Sequence, residues 1–308
     1  MNRPVAITRR AVCFPEPLSG TRTELWEPDP VPPPERAAEL LGRKGLLAKE
    51  PATRLALCAV HRAFGLPEKA PRRSAEEPDP RTAVIVSSNL GNVATVAGVA
   101  TAVREGGVRA VSPLDAPNVS SNVIASTVAI WFRFGGPNLT VCSGHSSGLD
   151  AAGLGRALLL SGRADRVVVV GVEPRDEVTD ALLTRATGAP GVAVAACVVL
   201  EATENAEDGE DGEDGEDGED GEDGRAFLHD VVAEPTARER GLFADSTTHG
   251  RATVDTGSGG RGYGAEGVLQ VAVAAAVVAA DSTVRSITAV CGAPEEGFRT
   301  TRITSVRG

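Results

Sequence analysis

Valine-rich runs alternate with longer stretches of helical period along most of this chain. Residues 1–15 alternate well enough for an opening strand, and the proline-rich EPDPVPPPE, Glu27 to Glu35, predicts a loop. Helices are predicted over Arg36 to Leu47 and Pro51 to Phe64. In the second, Leu55, Cys58, Ala59 and Arg62 recur at helical spacing and Pro51 suits a first turn. A polar loop from Pro67 to Asp79 leads into a buried strand, Thr82 to Val86, ended by SSNLGN. Helices then read over Val93 to Arg104 and Asn118 to Phe134.

The stretch from Gly135 to Pro174 has the clearest pattern. It reads as strand Asn138 to Cys142, a turn of small residues, helix Ser147 to Ser161 and strand Arg166 to Val172. His145 sits at the turn, where such an elbow would display one reactive side chain. A helix over Asp176 to Arg185 and a strand over Gly191 to Glu201, apolar on both faces, complete the first part. Strands apolar on both faces, alternating with helices, imply an α/β fold with helix layers covering a buried sheet.

After residue 206 the pattern breaks. Residues 207–224 are six EDG repeats, which bury no apolar surface and predict a solvated, disordered loop; a calcium-binding acidic repeat is the weaker alternative. Beyond it, Arg225 to Ala233 reads as a strand and the next residues to Gly262 as a polar stretch. Gly264 to Ala280 reads as a helix buried on most sides, and Val284 to Val290 and Thr300 to Val306 as closing strands. The expected division is 1–206, the repeat at 207–224, and a shorter second part at 225–308.

Composition changes the picture in two places. The net charge is −11, but without the twelve carboxylates of the repeat it is +1, so no charged face points to nucleic acid. The five cysteines (Cys13, Cys58, Cys142, Cys197, Cys291) are odd in number and lack CxxC spacing, which argues against a disulfide framework or a zinc site. The N-terminal residues hold no apolar core of signal-peptide length. The most apolar run, Gly267 to Ala280, is shorter than the ~20 residues of a membrane helix. The expectation is a cytoplasmic protein that meets neither membrane nor nucleic acid.

GGPNLTV, the elbow SGHSSG, SSGLDAAGLGRALLLSGRADRVVVVGVEP and GVAVAACVVLE together resemble the N-terminal half of β-ketoacyl-acyl-carrier-protein synthases. RKGLLAKEPATRLALCAVHRA and SPLDAPNVSSNVIAST strengthen the likeness, which covers Arg43 to Glu201 with a weaker echo over Arg225 to Gly308. The resemblance implies a thiolase-like, layered αβαβα fold of two related halves, the C-terminal one shortened. It also implies a family nucleophile, a cysteine, at the position of His145. A thiolate there would gain from the helix N-terminus and from N–H groups that stabilise an oxyanion, whereas an imidazole cannot store an acyl thioester.

The family's later residues also differ. Its first histidine motif has only TTHGRAT, around His249, as a candidate, and its second falls on GRGYGAEG, which places Arg261 at the histidine. The loop that completes the oxyanion hole is represented only by CGAPEEGF, Cys291 to Phe298. These departures imply a subunit that no longer condenses, similar to the chain-length factors of type II polyketide systems. It would pair as a heterodimer with a full-length, cysteine-bearing ketosynthase, meet acyl carrier protein through that partner, and need no cofactor or metal. The alternative is an acyltransferase or thioester hydrolase using His145, Cys142 or Ser146. Against it, no carboxylate is placed by the sequence to orient His145. Cys142 reads as a buried strand thiol, Ser146 and Ser147 as residues of a helix start, and Arg261 as a loop arginine or a contact for a phosphate or carboxylate. His61 and His229 belong to no constellation.

Overall fold

The computed structural model describes residues 3–16, 26–70, 78–203, 226–234, 240–246, 250–256, 258 and 260–305. The EDG repeat and His249 lie outside them.

The first five strands are β1 (Val5–Cys13), β2 (Thr82–Ser87), β3 (Asn138–Val141), β4 (Arg166–Glu173) and β5 (Val194–Ala202). They lie in the order β3-β2-β4-β5-β1, with β3, β2 and β4 parallel and β5 antiparallel to both β4 and β1. β2 is buried along its whole length, and β4 and β5 over seven successive residues each, as strands covered on both faces must be.

The remaining strands are β6 (Ala226–Leu228), β7 (Val232–Glu234), β8 (Gly241–Ser246), β9 (Gly250–Val254), β10 (Val284–Ala293) and β11 (Gly297–Ser305). β6 joins β1, and the sheet continues β6-β11-β10-β8-β9, with β7 paired to β11. Read from each outer edge inward, with the strands numbered within each half and β7 left out, both orders are third, second, fourth, fifth, first. The halves are related, and they differ in one respect. The second strand runs parallel to its neighbours in the first half, whereas β8 runs antiparallel to β9 and β10. Connection length explains this. β2 and β3 are separated by α3 (Val93–Gly106) and α4 (Val123–Phe132), but β8 and β9 by residues 247–249 alone. A parallel return needs a dozen or more residues, so the short connection enforces a hairpin.

α2 (Pro51–Ala63) and α4 cover the outer face of the first half's sheet. On its inner face lie α5 (Ser147–Leu160) and α7 (Glu266–Ala280), which pack between the two halves in one apolar core with Leu200, Leu242 and Ile287. The helices meet backbone to backbone: a Cβ on Gly148 would lie 2.6 Å from the Cα of Gly267, and one on Gly267 would collide with the amide nitrogen of Leu149. Only glycine permits that approach. The apolar stretch Tyr263–Ala280 spans 18 residues, longer than the run read from sequence, but it is 78% buried as the central core helix. Among the described residues no helix covers the outer face of the second half's sheet, where Phe243, Val290 and Phe298 form a small cluster.

Several boundaries differ from expectation. The helix predicted over Arg36 to Leu47 is only a 3-10 turn and α1 (Ala38–Leu41), ended by Gly42 at φ 76°. Asn118 to Phe134 divides into a 3-10 turn and α4, because the buried Asn118 amide turns away to the carbonyls of Ala48 and Leu114. α6 (Glu177–Thr187) starts at the predicted Asp176, which forms a capping box with Thr179. The polar stretch before Gly262 holds the β8–β9 hairpin.

Candidate functional site

β3 ends at Val141, Gly144 takes φ 73°, and a 3-10 turn over Gly144–Ser146 leads into α5. An equivalent turn, Tyr263–Ala265, leads into α7. The two turns face each other, and the rings of His145 and Tyr263 meet edge to face with centroids 4.7 Å apart. Tyr263, the chain's one tyrosine, therefore touches His145. Arg261 is exposed, holds the Ser258 carbonyl through Nε at 3.3 Å, and lines an outer cleft that also reaches His145.

The side chain that defines the elbow is Glu296, in the turn between β10 and β11. One carboxylate oxygen accepts from the backbone N–H of His145 at 2.7 Å and lies 3.2 Å from its ring Nδ1. The sequence reading found no carboxylate to orient His145, and the structure corrects it: Glu296 does so from the loop read as CGAPEEGF. The carboxylate is packed against Gly144, where any Cβ would collide with it. An anion suits this point, because it lies at the positive dipole end of α5 and takes the His145 N–H. The N–H that would stabilise an oxyanion is thus already donating to a carboxylate of the chain itself.

A second network fixes the elbow from below. The Asn89 amide donates to the Gly144 carbonyl at 2.9 Å, and its oxygen accepts from the Gly144 N–H and the Ser147 hydroxyl. Glu173, fully buried at the end of β4, accepts from the N–H groups of Asn89 at 2.7 Å and Leu90 at 3.0 Å. Burial outweighs these hydrogen bonds and pushes its carboxyl up to about 7. Burial, followed by the charges of Glu296 and Glu173, likewise raises the Tyr263 phenol.

The other candidates are not assembled with His145. Ser146 is buried and donates to Asp150 at 2.7 Å; Asp150 also accepts from Ser143 and from Arg299 Nε at 2.8 Å. Cys142 was expected as a buried strand thiol. It is instead exposed, one residue beyond β3, and donates to the Ser88 carbonyl at 3.0 Å. Partial burial and Glu173 raise its thiol above the ordinary value, so it is not poised as a thiolate. Sequence reasoning missed Tyr263, Glu296, Asn89, Glu173 and Asp150. The available signals were a tyrosine inside GRGYGAEG and two adjacent carboxylates where the family has a glycine-rich loop.

Behind His145 and Tyr263 an inner cavity of about 390 Å³ extends into the second half, walled by β8, β9, α7 and β10. It shares His145, Arg240, Gly260 and Tyr263 with the outer cleft of about 140 Å³.

Residues 39–186 match the family model described as "Beta-ketoacyl synthase, N-terminal domain". A 3-oxoacyl-[acyl-carrier-protein] synthase 2 of Rhizobium meliloti is 32% identical over 92 residues, 30% of this chain, and the chain spans only 22% of that protein's length. Among solved structures, the ishigamide ketosynthase/chain length factor superposes with a TM-score of 0.64 at 17% identity, covering 99% of this chain and 100% of that one. A type II polyketide synthase acyl-carrier protein complex with its ketosynthase gives 0.60 at 12% identity, over 99% of this chain and 100% of that one. A beta-ketoacyl synthase from Burkholderia phymatum gives 0.56 at 14% identity, over 98% and 99%. Residues 39–186 thus resemble the N-terminal domain of β-ketoacyl synthases, and the chain as a whole has the fold of the ketosynthases on which it superposes.

Proposed function

We propose that this chain is a noncatalytic subunit, like a chain-length factor, that pairs with a cysteine-bearing ketosynthase in polyketide or fatty-acyl biosynthesis. The observation that carries the reading is Glu296. Its carboxylate takes the His145 N–H at 2.7 Å, in a turn that has imidazole where the family has its thiol. A carbonyl oxygen developing negative charge there would displace one anion and meet no thioester-forming group.

The need for a partner is supported on another face. α3 is a largely apolar helix of 14 residues, none of which is buried. Val96 and Val103 on it and Val108 just beyond it are exposed, as are Ile130 on α4 and Leu139 on β3. β3 ends the sheet order with one edge unpaired among the described strands. Exposed apolar side chains on a helix and an open sheet edge are each surfaces that a partner would cover. Acyl carrier protein is then met through the active partner, in the cytoplasm.

The test is elongation on acyl carrier protein by the ketosynthase with and without this chain. Full-rate elongation by the ketosynthase alone refutes the reading.

The His145–Glu296 pair favours one second reading, since an imidazole oriented by a carboxylate is half of a general-base dyad. It predicts thioester cleavage by this chain alone, abolished by His145→Ala. An inert wild-type chain removes it.

A further inference from the structure

We propose that Glu173 pins a pH-sensitive clasp, which ties the loop at residues 88–92 to both site turns and opens when the carboxyl ionises. This inference does not depend on the subunit reading.

Glu173 ends β4 and is 1% exposed. One carboxylate oxygen accepts the Asn89 N–H at 2.7 Å, and the other takes the Leu90 N–H at 3.0 Å and the Ser88 hydroxyl at 3.4 Å. The Gly264 N–H, in the turn before α7, also donates to it. From the loop, the Asn89 side chain holds the N–H and the carbonyl of Gly144 and the Ser147 hydroxyl. Gly264 packs so closely that a Cβ there would collide with both Glu173 and Asn89. The two turns that bring His145 and Tyr263 together are therefore fastened to one carboxylate.

The parts of the clasp differ in freedom. β4 lies between β2 and β5 and is buried over seven residues, which fixes the backbone of Glu173. Asn89 and Leu90 are half-buried, and their loop runs into α3, which has no buried residue. The loop is the part that moves.

The titratable groups facing Glu173 are Cys142, one residue beyond β3, and Tyr263, itself beside Glu296; β5 places Val194 next to it. None of these is cationic, so an ionised carboxylate relies on N–H and O–H dipoles. Burial outweighs those dipoles and lifts the carboxyl to about 7, so the closed clasp holds the neutral acid better than the anion. The closed value lies above the ordinary 4.5, so closure is fully favoured below pH 4.5 and weakens as pH rises through 7. With those two values the opening constant rises about tenfold between pH 6 and pH 8.

The experiment is hydrogen exchange of the full chain followed by NMR, read as protection factors, which divide out the intrinsic pH dependence. The Asn89, Leu90 and Gly144 amides should lose protection about tenfold between pH 6 and pH 8. At both pH values their protection should lie at least about tenfold below that of β5, because the loop opens without the sheet. Glu173→Gln should make all three amides insensitive to pH over this range. Asn89→Ala should keep the dependence at Leu90 and remove it from Gly144. Protection that stays constant in the wild-type chain, equals that of β5, or falls as far in Glu173→Gln overturns the proposal. So does a Gly144 amide that still follows pH in Asn89→Ala. None of these results bears on elongation by the paired ketosynthase, so the two readings fail separately.

Discussion

Replacing His145 by cysteine restores the family's nucleophile to the elbow, and the structure says why that alone is insufficient. The introduced thiol would face the Glu296 carboxylate, which lies 3.2 Å from the present ring nitrogen. A unit charge about 4 Å away is worth ~1 kcal/mol in water and ~4 kcal/mol at an effective dielectric of 20. The Glu296 side chain is 31% exposed, which places the effect toward the weaker end. About 1.4 kcal/mol corresponds to one unit in the thiol pKa, or roughly tenfold in thiolate population near neutral pH. A thiolate of lower pKa is intrinsically less nucleophilic, which offsets about half of that gain on a logarithmic scale. Adding Glu296→Gln to His145→Cys should therefore speed alkylation by iodoacetamide about three- to fivefold at pH 7. The background needs Cys142→Ser, because Cys142 is exposed while the other four cysteines are buried. Rates are read by intact-protein mass spectrometry over time. Equal rates with and without Glu296, or a slower rate without it, would show that the carboxylate does not govern the elbow.

Gly267→Ala should destabilise the fold by about 1–3 kcal/mol, seen as a lower Tm, because its Cβ meets the Leu149 backbone. Gly98→Ala on α3, where nothing lies within 4 Å, should leave Tm equal or higher. Glu173 has its folded pKa raised to about 7 from 4.5, so its contribution favours the fold below pH 4.5 and is lost as pH rises through 7. The shift corresponds to about 3 kcal/mol as an order of magnitude, and Glu173→Gln should remove that slope from a denaturation series between pH 4.5 and 7. Val103→Glu, on the uncovered face of α3, should hold Tm within about 2 °C yet abolish co-purification with the ketosynthase.

The first half was legible because its signals are local and redundant. TAVIV, RVVVVGVEP and GVAVAACVVLE are apolar on both faces, and β2, β4 and β5 are buried there. The β8–β9 hairpin escaped because GLFADS and GRATV mix small and polar residues, and the strand that joins β8 to the sheet is β10, some forty residues away. The shortened α1 was also hidden, since helical period continued through RKGLL while Gly42 and Gly45 took positive φ. At the site, His145 stood out by its place in an elbow. Glu296 did not, because it reaches the elbow from 151 residues further along the chain. No periodicity carries that contact; only the crossing of α5 with α7 brings the β10–β11 turn to the start of α5.

The most direct test of the central claim is carrier-protein elongation by the ketosynthase paired with His145→Ala. With the elbow serving only as structure, elongation should match the wild-type pair and collapse when this chain is withheld. Elongation that falls with His145→Ala to the level of the ketosynthase alone, while the two chains still co-purify, would show that the imidazole performs chemistry.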